Sequence, residues 1–138
     1  MVEGVKVNRT KFCMTCNIYR PSRTSHCDIC GFCIERMDHH CPWLGTCVGK
    51  KNYKQFYIFL LSLCIETILI FTMCVIIMDT NIIDGEVNLG ATLARYPLTI
   101  VLAILCVPAF IFVAIMLVFH THLILKNLTT KEFFDKKW

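Results

Sequence analysis

The chain has 138 residues, 56% of them hydrophobic, and a formal net charge of +4. That length suits one compact unit and leaves no room for a second large soluble domain, and so apolar a composition is foreign to an ordinary soluble protein. The positive charge is too small to argue for nucleic acid, and it is unevenly placed: residues 1–55 hold nine Lys and Arg against four Asp and Glu, whereas 79–97 holds one against three.

Residues 1–55 are polar and rich in Cys and His. Their turn formers, Arg20-Pro21-Ser22, Cys30-Gly31 and Cys41-Pro42-Trp43, predict loops and short hairpins rather than long elements. Of ten cysteines in the chain, seven fall between Cys13 and Cys47. Seven is odd, histidines are interleaved with them, and the opening MVEGVKVNRT has no apolar signal-peptide core. Metal therefore fits better than a disulfide framework. Without metal, too few apolar side chains are present to offset the entropy of ordering this segment.

Residues 56–78 form a run of 23 with Glu66 as their only charge. As a helix they rise roughly 34 Å, enough for a bilayer core of about 30 Å. A buried soluble helix is the poorer reading, because nothing else in the chain can cover it on all sides. Residues 98–125 form a second span without Asp, Glu, Lys or Arg, and Pro108 inside it is expected to kink it. Lys50, Lys51 and Lys54 precede the first span, and Lys126, Lys131, Lys136 and Lys137 follow the second. The positive-inside rule puts both termini in the cytosol and 79–97 on the lumenal or outer side. Neither Asn8-Arg-Thr10 nor Asn127-Leu-Thr129 then meets the lumen, and sugar on either would overturn the orientation. The expected fold is an α-helical membrane protein with two transmembrane helices and a cytosolic Cys-rich zinc-knuckle domain of short β-hairpins binding two zinc ions. The expected divisions are 1–55, 56–78, 79–97, 98–125 and 126–138.

The potential ligands in the Cys-rich segment are Cys13, Cys16, His26, Cys27, Cys30, Cys33, His39, His40, Cys41 and Cys47. Cys13-x-x-Cys16 and Cys27-x-x-Cys30 have the tight-turn spacing that lets two thiolates reach one zinc. Two closed tetrahedral sites use eight of the ten donors, leaving one thiol and one imidazole if each site is Cys3His. A thiol beside a base is what nucleophilic catalysis requires. In Asp38-His39-His40-Cys41, adjacent side chains point in different directions, so one histidine can bind zinc while the other faces Cys41. Asp38 can then orient that second imidazole, and an imidazolium beside the thiol favours the thiolate. The competing reading is a purely structural module in which all ten groups are ligands or support them.

From Asp38-His39-His40-Cys41-Pro42-Trp43 outward, the sequence resembles the DHHC-type protein palmitoyltransferases. The match runs through Cys13-x2-Cys16, His26-Cys27-x2-Cys30-x2-Cys33, the tetrad, Cys47-Val48-Gly49 and Asn52-Tyr53, then into both spans and Thr129-Thr130-Lys131-Glu132, a TTxE motif. The resemblance implies one zinc on Cys13, Cys16, His26 and Cys33, and another on Cys27, Cys30, His40 and Cys47. It makes Cys41 the acyl carrier, His39 the general base, Asp38 its polarising partner and Thr130 a partner of Asp38. The implied reaction passes palmitate, or another long acyl chain, from acyl-CoA to Cys41 and then to cysteines of cytosolic-side proteins. The implied home is the endomembrane system, Golgi or endoplasmic reticulum before plasma membrane. Family members usually have two further spans before the Cys-rich segment and a cytosolic tail after TTxE, so the expectation is a fragment or a shortened product. Gly45-Thr46 stands where many relatives carry two asparagines.

Several residues carry competing readings. Thr129-x-x-Glu132 is also a capping box, which is compatible with a role for Thr130 beside Asp38. Phe56, Phe59, Leu63 and Glu66 fall on one helical face. They either line an acyl cavity, with Trp43 at its thioester end and Glu66 limiting chain length, or simply pack against a neighbour. Cys64, Cys74 and Cys106 read as small apolar packers, and His120 and His122 as separate interfacial residues. Arg20, Arg23, Lys50 and Lys51 contact CoA phosphates or headgroups, or form a solvated basic face. Two rival functions are a membrane-tethered zinc-binding module, in which Cys41→Ala is harmless, and an inactive partner of full-length relatives.

Overall fold

The computed structural model describes residues 11–79, 90 and 94–135. Asn8, Lys136, Lys137 and most of the 79–97 connection, 80–89 and 91–93, lie outside them, so the expectations for the first sequon and for that loop fall there too. The chain divides into two compact units, one of Met1–Phe56 with Leu123–Trp138, the other of Tyr57–His122. The segment after the second long helix thus belongs with the Cys-rich segment.

The first unit is built on three antiparallel hairpins: β1 (Phe12–Cys13) with β2 (Ile18–Tyr19), β3 (Ser25–Cys27) with β4 (Phe32–Ile34), and β5 (His39–Cys41) with β6 (Thr46–Val48). Strands of two or three residues bury too little to be stable alone. Each hairpin turn is closed by a residue in the left-handed region, Asn17 at φ 54°, Gly31 at 75° and Gly45 at 64°. Glycine and asparagine are the residues that adopt this conformation most readily.

Beyond β6 the chain passes close to β4. A Cβ on Gly49 would lie 2.6 Å from Ile34 Cγ2 and 3.0 Å from the Glu35 carbonyl, so only glycine fits. The Asn52 carboxamide then accepts from the Gly49 N–H at 2.9 Å and donates to the Cys47 carbonyl at 3.0 Å, tying the end of the hairpin to the start of α1 (Tyr53–Asp79).

α1 begins three residues earlier than the apolar run alone suggests. α2 (Pro97–Leu125) opens on a proline, whose missing N–H costs nothing at a helix start, and remains helical on both sides of Pro108. Their 27 and 29 residues correspond to about 40 Å each, long enough and apolar enough to cross a membrane. Ile104, Leu105, Ile115 and Val118 of α2 are all more than half exposed, which suits lipid and not the core of a soluble protein. Within the second unit, Tyr57 and Thr121 join the two helices by a 2.8 Å hydroxyl hydrogen bond. The hydroxyls of Thr67 and Thr72 bond back to carbonyls of their own helix. Cys74 and Cys106 are buried and Cys64 half-buried, in keeping with packing roles; His120 is buried while His122 is exposed.

α2 ends in a Schellman motif. The Leu128 N–H donates to the Leu123 carbonyl at 2.9 Å and the Asn127 N–H to the Ile124 carbonyl at 3.0 Å, with Asn127 itself at φ 52°. A short helix, α3 (Thr130–Asp135), follows at once.

Candidate metal centres and the cysteine beside them

Hairpin register decides which thiols meet. Cys13 and Cys16 bracket the first turn; His26 and Cys33 are cross-strand partners on β3 and β4. The His26 Nδ1 lies 3.5, 3.3 and 3.8 Å from the sulfurs of Cys13, Cys16 and Cys33. The second set repeats the plan: Cys27 and Cys30 bracket the second turn, and His40 and Cys47 are cross-strand partners on β5 and β6. The His40 Nδ1 lies 3.7, 3.3 and 3.6 Å from Cys27, Cys30 and Cys47, and Cys30 and Cys47 are 3.5 Å apart. A tetrahedron with metal–sulfur bonds near 2.3 Å and metal–nitrogen bonds near 2.0 Å has edges of about 3.5–3.8 Å. Both Cys3His sets fit a metal ion of that kind.

The thiols themselves ask for a cation. Backbone N–H groups of the turns, that of Cys16 foremost for Cys13 and that of Cys30 for Cys27, favour the thiolates and lower both pKa values. Burial, followed by the neighbouring thiols, pushes Cys33 and Cys47 up to about 12. Three thiols around one imidazole cannot all ionise without a positive ion to balance them.

Cys41 takes part in neither set. It is buried at the end of β5, and strand alternation puts it on the same face as His39 and opposite to His40. The two histidines thus face opposite ways, His40 in a Cys3His set and His39 against Asp38. Asp38, only 1% exposed, is the hub beside them. Its Oδ2 lies 2.6 Å from His39 Nδ1 and accepts from the Thr130 hydroxyl at 2.7 Å, while its Oδ1 accepts from the Thr130 N–H at 2.8 Å. The His39 ring also packs edge-on against Phe56, with centroids 5.3 Å apart.

The TTxE segment carries both roles considered for it. The Glu132 N–H donates to Thr129 Oγ1 at 3.2 Å and Glu132 Oε2 accepts from the Thr129 N–H at 2.9 Å, a reciprocal capping box, while Thr130 engages Asp38. What the sequence does not announce is the arginine clamp that seats it. Arg23 pairs in bidentate fashion with Glu132, both contacts at 2.6 Å, and donates to the Asn127 carbonyl at 2.9 Å. Arg36 donates to the Asn127 side-chain oxygen at 2.7 Å. Burial opposes ionisation of Glu132, yet Arg23 and the Thr129 N–H hold its carboxyl below the usual range; Glu132 in turn raises Arg23. These partners lie about a hundred positions apart, so no local pattern reveals them.

The other basic residues also part ways. Lys50 pairs with Glu35 and Lys51 is exposed. Arg20 lines a polar cleft of about 450 Å³ together with Lys11, Ser22, Thr24 and Lys131, and its buried Nε has no hydrogen-bond partner among the described residues. Of the residues expected to meet an acyl chain, Phe56 is buried beside His39, Trp43 is 87% exposed on the third turn, and Phe59 and Glu66 are exposed on α1.

Two Cys3His sets with an uncommitted cysteine and an Asp–His pair beside them define a metal-tied module joined to apolar helices. The family model for the DHHC palmitoyltransferase matches residues 6–137. The chain is 42% identical to palmitoyltransferase ZDHHC9 of Danio rerio across 99% of its length, and 41% identical to palmitoyltransferase ZDHHC18 of Mus musculus across all of it. It is likewise 42% identical to ZDHHC18 of Homo sapiens. The chain belongs to the DHHC palmitoyltransferase family. It spans about 36% of the length of these relatives.

Proposed function

We propose that this chain is the catalytic part of a membrane-embedded protein S-palmitoyltransferase, and that Cys41 carries the acyl group. The observation that supports this most is that Cys41 stands outside both Cys3His sets while its strand neighbour His39 is held by a buried Asp38 at 2.6 Å. Zinc in the two sets is structural: it balances the thiolates and ties the hairpins together.

The chemistry follows from the hydrogen bonds. With Asp38 accepting from Nδ1–H, His39 keeps its lone pair on Nε2 and can take a proton there. The Cys41 thiol gives up its proton to His39, and its sulfur attacks the thioester carbonyl of acyl-CoA. The carbon–sulfur bond to CoA breaks, and the CoA thiolate recovers the proton from the imidazolium. A substrate thiol then repeats the exchange against acyl-Cys41. Each half-reaction trades one thioester for another, so positioning rather than driving force sets the rate. Thr130, donating twice to Asp38, fixes the carboxylate that fixes the base.

Acyl-CoA is the donor that suits the surroundings: the cleft bearing Lys11, Arg20 and Lys131 is cationic, as phosphates require, and the apolar helices suit a long chain. Trp43, Phe56, Phe59 and Glu66 are the proposed acyl contacts, and Glu66→Leu is expected to shift the preferred chain length. The acceptors are cysteines of proteins on the cytosolic side, with both termini cytosolic and the enzyme in Golgi or endoplasmic reticulum membranes. The test is incubation of the chain in detergent with labelled palmitoyl-CoA. Hydroxylamine-sensitive label on wild type, absent from Cys41→Ala and strongly reduced in His39→Ala, is the expected result; equal labelling of Cys41→Ala would refute it.

A further inference from the structure

Among the described residues, four that are not glycine have a positive φ: Asn17, Arg23, Arg36 and Asn127. Asn17 closes a hairpin turn, and the other three meet at one place. Arg23 donates to the Asn127 carbonyl at 2.9 Å, and Arg36 to the Asn127 side-chain oxygen at 2.7 Å. At φ 61° and 46°, these two arginines carry a Cβ clash that glycine avoids. Backbone held in this region persists where its surroundings over-determine it, and such residues gather at functional sites. Gly31 and Gly45 stand at comparable turns, so what sets the arginines apart is the use made of their side chains.

The contacts of Arg23 lead to the base. Both of its bonds to Glu132 are 2.6 Å, and Glu132 Oε2 also accepts from the Thr129 N–H at 2.9 Å. The next residue, Thr130, gives its N–H to one oxygen of Asp38 and its hydroxyl to the other, at 2.8 and 2.7 Å. Asp38, its side chain sealed from solvent, holds His39 Nδ1 at 2.6 Å. Guanidinium, carboxylate, backbone, carboxylate and imidazole thus form one chain of short contacts. Arg23 borders the same cleft as Arg20 and Lys11, but its Nε and Nη2 are engaged by Glu132 and Asn127. Its role is therefore different from that of a phosphate ligand.

We propose that Arg23 is a positioning residue for acyl transfer, which fixes Thr130 through Glu132 so that Asp38 holds His39 in its working orientation. The catalytic meaning rests on the acyltransferase reading; the linkage from Arg23 to Thr130 does not.

The test is Arg23→Gly in the full chain in detergent, alone and combined with Thr130→Ala. Glycine accepts the left-handed backbone, so the substitution removes the guanidinium without adding strain. Acyl-enzyme formation at saturating palmitoyl-CoA should fall roughly 10–100-fold, with the half-saturating concentration and the zinc content unchanged. Added to Thr130→Ala, Arg23→Gly should slow the reaction no further, because its effect passes through that threonine. Arg23→Lys keeps the charge but loses the bidentate fork, and should fall between Arg23→Gly and wild type. Hydrogen exchange of the Thr130 amide, relative to its intrinsic rate, should lose protection in Arg23→Gly, a readout that needs no acyl transfer. An unchanged saturating rate, a shift confined to the half-saturating concentration, or independent effects of the two substitutions would overturn the proposal. So would unaltered Thr130 protection, or zinc lost from both Arg23 variants, which would show a purely structural role. If wild type forms no acyl-enzyme, the acyltransferase reading fails and Thr130 protection still decides the linkage.

Discussion

Asp38 is the residue on which the site turns, because one buried carboxylate answers to a histidine beside it and to a threonine ninety-two positions away. Replacing it by asparagine keeps the volume but offers an N–H where the imidazole needs an acceptor. Asp38→Asn is expected to slow acyl-enzyme formation by about 10²–10⁴ in single-turnover assays, the range general-base catalysis supplies, with metal content unchanged. Loss of metal in that variant would show a structural role instead. The sequence made the donors legible, since two closed sites cannot use ten of them. Spacing alone left open whether His39 or His40 stood with the other donors; the structure places His40, cross-strand from Cys47, in a Cys3His set and His39 against Asp38. Arg23 was legible only as a positive charge, because its partner Glu132 is distant in sequence.

At the scale of elements, the hairpins and α3 owe their place to a few close contacts. Gly49→Ala would press a methyl group against Ile34 and the Glu35 carbonyl, and is expected to cost about 1–3 kcal/mol in chelator- or heat-induced unfolding of the first unit. An unchanged midpoint would mean the backbone yields there freely. The docking of α3 should depend on acid. The Glu132 carboxyl is held below its ordinary value, so its stabilisation is complete above about pH 4.3 and is lost as pH falls through the lowered value. Protection of the Thr130–Asp135 amides, taken as hydrogen exchange relative to the intrinsic rate at each pH, should therefore fall at acid pH in wild type, and an Arg23→Ala variant should lose that transition. The capping box and the long helices were readable from pattern. The beginning of α1 at Tyr53 was not, because polar Lys54 and Gln55 precede the apolar run and Asn52 ties the helix start back to Gly49 and Cys47.

On the scale of the molecule, the chain is a metal-tied unit and a helical unit of very different solvent preference, and each makes sense of the other's composition. The basic bias belongs largely to the first unit, where Arg23, Arg36 and Lys50 serve internal pairs and Arg20 and Lys11 line a cleft. The three hairpins repeat at a fixed spacing, and on the proposed reading two turns hold metal while the third holds the nucleophile. Native mass spectrometry of the chain after exposure to palmitoyl-CoA, for wild type and Cys41→Ala, tests this most directly. Two zinc ions and one hydroxylamine-labile acyl group on wild type, with two zinc ions and no acyl group on Cys41→Ala, is the predicted result. A zinc ion lost together with the Cys41 thiol would contradict it.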